Sequence, residues 1–179
     1  MEIKSAQQDV RSTFLRGSIG QAVSGLIWLL SAFLGTWSSE RSAILLLVLL
    51  GALIFPLTQL ILRLLGRSAG LPKGHPMNAL ATQVAFIAPL SLPVIGAAAL
   101  YNINWFYPAF MLVLGTHYMP FIFLYGMWEF GVLAALLIGG GVAIGMLFPG
   151  TFTIGAWFTG VVLLLFALFV QLTPRFSKK

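Results

Sequence analysis

Val161-Val162-Leu163-Leu164-Leu165-Phe166-Ala167-Leu168-Phe169-Val170 is ten apolar residues in a row. A transmembrane strand alternates apolar and polar residues over about ten positions, so an unbroken run reads as helix. Ile44–Leu50 repeats the pattern with seven apolar residues in succession. A helix needs about 20 mostly apolar residues to cross about 30 Å of hydrocarbon. Working outward from these runs, six segments meet that length: residues 18–37, 43–65, 78–100, 105–125, 130–148 and 154–173. The expected fold is all-α: a polytopic membrane protein, a bundle of six transmembrane helices, several of them kinked by proline.

The composition agrees. Of 179 residues, 59% are hydrophobic and 8% charged, and the mean hydropathy is +0.99. A soluble domain is about half apolar and about a quarter charged. A soluble globular protein and a disordered chain are both excluded. Cysteine is absent, which rules out a disulfide scaffold, a thiolate metal site and a cysteine nucleophile. Two histidines and four carboxylates leave little material for catalysis. A zinc site needs three or four converging ligands, so neither a metal nor a cofactor is expected. The usual hydrolase nucleophile motifs are missing too, and no catalytic residue is assigned.

The net charge of +6 sits at the edges of apolar segments, the pattern that encodes membrane orientation rather than nucleic-acid binding. Residues 1–17 are too polar for a signal peptide and are expected to form a cytoplasmic segment or interfacial helix. Residues 174–179 form a basic cytoplasmic tail. With both termini inside, nine of the ten Lys and Arg residues face the cytoplasm and only Arg41 faces out. The positive-inside rule therefore gives a multi-pass protein of a bacterial-type cytoplasmic membrane, N-in and C-in.

Prolines interrupt three spans: Pro56, Pro89 with Pro93, and Pro120. Each removes a backbone donor and frees the carbonyl four residues earlier. They read as hinges lining a cavity or as ordinary kinks. His117 is the one ionisable side chain deep in a span, roughly 18 Å from the outer boundary at 1.5 Å per residue. Such a residue is a functional candidate by default, and a neutral imidazole bonded to a carbonyl is the structural alternative. Gln59, Gln83, Gln21 and Ser24 fall at a comparable level. With His117, Tyr118 and Tyr125 they form either a polar layer for a ligand or inter-helix hydrogen bonds. In the fifth span Gly131, Ala135 and Gly139, then Gly141 and Gly145, repeat a small-xxx-small spacing that lets backbones approach closely.

The motifs Ile54-Phe55-Pro56-Leu57, the Gly-rich loop ending at Pro76, and Gly115-Thr116-His117-Tyr118-Met119-Pro120 with Tyr125 carry a resemblance. On these the chain resembles a family of small bacterial inner-membrane proteins of uncharacterised function. The resemblance implies a six-helix membrane domain and no assigned activity. Three functional readings follow from the residues. The first is a small transporter or channel for a neutral or anionic solute, with His117, Gln59 and Gln83 in contact with it. The second is a non-transporting protein that binds a lipid, a hydrophobic ligand or a partner protein. The third is a lipid-active membrane enzyme. Six short helices enclose little volume, so a homodimer is a further expectation alongside the lipid bilayer as partner.

Overall fold

The computed structural model describes residues 2–173, so the basic tail at 174–179 lies outside the described residues. Among the described residues there are eight α-helices and no strand. They are α1 (Ile3–Thr13), α2 (Ser18–Trp37), α3 (Glu40–Gly51), α4 (Ile54–Leu64), α5 (Asn78–Tyr101), α6 (Phe106–Tyr125), α7 (Glu129–Leu147) and α8 (Ile154–Leu172). Helices α2, α5, α6, α7 and α8 are each long and apolar enough to cross a membrane, and the bent pair α3 and α4 is together long and apolar enough for a sixth, broken span or a re-entrant loop. The chain is thus an all-α bundle of membrane-spanning helices.

The broken span is where the structure departs from one continuous helix over 43–65. The axis bends by 51° between α3 and α4. Pro56 has no N–H to give the carbonyl of Ala52 and crowds it, and Ala52 and Leu53 lie in the break. Pro56 therefore occupies the first turn of α4, where a missing N–H costs nothing. Pro89 and Pro93 stay inside an unbroken α5, and Pro120 inside an unbroken α6.

Glycine sets the tightest contacts. A Cβ on Gly25 of α2 would stand 3.0 Å from the Gly160 carbonyl oxygen of α8, and one on Gly160 3.1 Å from that of Gly25. Backbones this close need both positions bare. On α6, a Cβ at Gly115 would meet the Ala134 carbonyl oxygen at 2.9 Å. From α7, Gly141 and Gly145 close on Pro108, and Gly131 on Ile122. Gly139 faces open space, so it makes no close approach among the described residues.

These contacts give a four-helix core, α6 on α7, α7 on α8 and α8 on α2. Side chains close the ring between α2 and α6. Around α6, Gly115 faces α7, Tyr118 faces α2 and His117 faces the Val84 backbone of α5. At about 100° per residue, α2 therefore stands between α7 and α5. Around α2, Gly25 faces α8, Gln21 faces α6 and Ser31 faces α3, which puts α6 between α8 and α3. Helices α5 and α3/α4 consequently lie on one side of the α2–α6 seam, with α7 and α8 on the other. Helix α5 rests on α6 and α4 on α2, without packing closely on each other.

Helix α1 lies across one end of the core. It buries Ala6 and Val10, and its side chains reach the end of α6. Gln7 Nε2 donates to the Phe123 carbonyl at 2.6 Å and Arg11 to that of Tyr125 at 2.5 Å. Gly126, at φ +60°, ends α6 in the left-handed conformation that glycine tolerates best. Met77, His75 and the loop before α5 gather at the same end, where His75 Nε2 lies 3.5 Å from Asp9 Oδ2.

Replacing Gly25 or Gly160 by leucine should destabilise the bundle by about 1–3 kcal/mol, the usual cost of overpacking. Gly139→Leu should leave it unchanged. Denaturant titration of the purified protein in detergent, followed by circular dichroism, measures both.

Candidate functional site

The α2–α6 seam is the polar line of the interior. The Tyr118 hydroxyl donates to Gln21 Oε1 at 2.6 Å, both groups buried. Ser31 Oγ donates to the Ala43 carbonyl of α3 at 2.8 Å and stands 2.6 Å from the Tyr107 hydroxyl. Serine has one proton to give, so Tyr107 donates to Ser31, and the chain of bonds ties α6 to α2 to α3. Tyr107 and Tyr118 are eleven residues apart, about three helical turns, and so share a face.

His117 sits beside this line rather than in it. Its ring meets Tyr118 at 5.3 Å and Phe121 at 5.1 Å between centroids. The Val84 backbone of α5 faces it. Its Nδ1 is buried without a hydrogen-bond partner among the described residues. Tyr125 is buried about two turns further on, its ring tilted against Phe121 at 5.5 Å and Phe130 at 5.0 Å between centroids, with Gly17 against it.

The remaining candidates are placed apart. Gln59 is half-buried on α4, and its neighbour Thr58 returns its hydroxyl to Ile54 of its own helix. Gln83 lies on the exposed face of α5, as do Pro89 and Pro93. No hydrogen bond among the described residues joins Gln59, Gln83 and His117. Pro56 is exposed and Pro120 half-buried. The structure thus brings together Tyr118 with Gln21, and His117 and Tyr125 with the same aromatic stack, but not the two glutamines. Among the described residues no three His, Asp or Glu side chains come together.

A second polar cluster closes the α1 end. Arg16 Nη2 lies 3.5 Å from Glu129 Oε1, at the start of α7, and Nη1 donates to the Thr173 carbonyl at 3.1 Å. Burial lowers the Arg11 guanidinium below its ordinary range, and neighbouring Arg16 lowers it further, against the pull of Glu129. Sequence reading passed over Tyr107, Ser31 and this arginine pair. The matching faces of Tyr107, Tyr118 and Tyr125 were the available signal for the first.

A family model matches residues 3–173, from the first residue of α1 past the end of α8. The chain belongs to DUF7010, a family of unknown function. Neither the curated proteins nor the solved structures gave a match. Membership of DUF7010 therefore brings no chemistry with it, and the reading of the seam rests on its own geometry.

Tyr118→Phe removes the donor to Gln21. It should cost about 0.6 kcal/mol, the average for an inter-helix hydrogen bond in a membrane. His117→Leu, which removes an unpaired acceptor, should cost less or stabilise. The same detergent unfolding titration ranks the two.

Proposed function

We propose that this protein is a non-transporting membrane protein that docks a partner helix in the plane of the bilayer, along α5. The observation that carries the reading is the outward face of α5. Pro89 and Pro93 leave the carbonyls of Ala85 and Pro89 without their usual donors, and these positions are exposed together with Gln83. Unmet acceptors in hydrocarbon call for a donor. A lipid has its donors at the headgroup, whereas a partner helix brings serine, threonine or amide side chains to this depth.

The seam supports the same reading. Its hydroxyls and amide are taken up in bonds between helices, which favours binding over a solute path. The buried, unpaired Nδ1 of His117 is the one observation on the side of transport, since a passing hydroxyl or ammonium would satisfy it. Concentration of nine of ten Lys and Arg residues at one end in the N-in arrangement supports a cytoplasmic membrane with both termini inside.

Photo-crosslinkers at Gln83 and Leu90 on α5 should capture a discrete partner in native membranes, and one at Leu165 on α8 should not. The double variant Pro89→Ala/Pro93→Ala restores both donors to the helix. It should cut capture several-fold, since two inter-helix bonds are worth roughly 1 kcal/mol. Lipid adducts alone, or capture indifferent to the double variant, would sink the reading. Uptake of small neutral solutes by proteoliposomes, lost in His117→Leu, would move it to transport. Because the chain lacks cysteine, orientation is read with single introduced thiols. Ser39→Cys should react with an impermeant maleimide added outside spheroplasts, and Gln8→Cys should not.

A further inference from the structure

The elbow between α1 and α2 is the most contorted backbone in the molecule. Phe14, at φ −99° and ψ 18°, is followed by Leu15 at φ 48°, Arg16 at φ 58° and Gly17 at φ 82°. Among the described residues, Leu15 and Arg16 are the two non-glycine residues with positive φ, a conformation a side chain disfavours. A change from negative φ at Phe14 to positive φ at Leu15 and Arg16 is a turn of the kind that can aim successive N–H groups toward a common point, a concavity suited to an anion. The Phe14 N–H is taken by Val10 and the Gly17 N–H by Phe14.

The side chains around the elbow carry the matching charge. Arg16 Nε is buried with no partner among the described residues. Its Nη2 reaches Glu129 only at 3.5 Å, a loose pair for a guanidinium that binds oxyanions as a two-pronged fork. Arg11 is close enough to feel the charge of Arg16, so two cations share the single carboxylate of Glu129. The elbow also joins an amphipathic helix to the first apolar span, the depth at which lipid headgroups lie.

We propose that the α1–α2 elbow is a phosphate site, formed by the Leu15 and Arg16 N–H groups and the Arg16 guanidinium, that holds the headgroup of an anionic lipid. Arg11 adds long-range attraction, and Glu129 competes with the phosphate for Arg16. This site is independent of the α5 reading, and the two are tested separately.

The test is native mass spectrometry of the full chain in detergent, titrated with dioleoyl phosphatidylglycerol, dioleoyl phosphatidylcholine or inorganic phosphate. The wild type should retain phosphatidylglycerol at least tenfold more tightly than phosphatidylcholine, and less so as salt rises. Arg16→Gln should lose that preference. Arg16 also braces α7 and Thr173, so Arg16→Gln can fail by misfolding. Glu129→Gln is the safeguard: freeing Arg16 from its carboxylate should tighten phosphatidylglycerol severalfold, an increase that a merely structural arginine would not give. Arg41→Gln, at the other end of the bundle, should change nothing. Displacement of the lipid by millimolar inorganic phosphate would assign the same site to free phosphate. Equal retention of the two lipids by the wild type overturns the proposal, as does a Glu129→Gln variant no tighter than wild type.

Discussion

In hydrocarbon a backbone N–H or C=O has no water to turn to, and each must find a partner inside the protein. The end of α6 shows how this constraint is met. Helix α6 ends at Gly126. Its last carbonyls are met by Gly126 N–H, Met127 N–H and the side chains of Gln7 and Arg11. Helix α1 is thus a cap delivered from another part of the chain, and its cation also suits the negative end of the α6 dipole. Polar side chains obey the same economy. Thr36, Thr58, Thr82 and Ser91 each return a hydroxyl to the carbonyl four residues earlier on their own helix, which leaves few hydroxyls free for anything else.

The helices were legible in the sequence because continuous apolar runs have only one structural meaning at these lengths. The prolines marked positions of trouble without stating the outcome. Pro56 broke its span, whereas Pro89, Pro93 and Pro120 stayed inside unbroken helices. Which face of α5 turns outward was not legible either. The helix is apolar all round, so no periodicity distinguishes the side of Gln83 from that of Val84.

Contacts between helices were the least legible part. Gly25 and Gly160 form one crossing although they are far apart in sequence and neither stands in the glycine-rich span. The pairing of Gln21 with Tyr118 needs the relative height of two helices, which hydropathy fixes only to within a turn or so. Gly131, Gly141 and Gly145 of α7 do make close approaches, but the same stripe contains Gly139, which meets nothing among the described residues. Arg16 and Glu129 were visible as boundary charges. Their pairing depends on an elbow of left-handed residues that no local preference of leucine or arginine would suggest.

The broken span has a mechanical consequence. At 1.5 Å per residue, α3 and α4 are about 18 Å and about 16 Å long. With α3 upright, the 51° bend reduces their combined height to about 28 Å, close to the thickness of a bilayer's apolar core. Straightening the joint by about 20° would add roughly 4 Å, and bending it further by the same amount would remove roughly 5 Å. Ordinary spans meet a thicker or thinner bilayer by tilting as a whole. Here the joint at Ala52 and Leu53 gives the span a second degree of freedom, its bend angle, through which its height and the bilayer thickness are related.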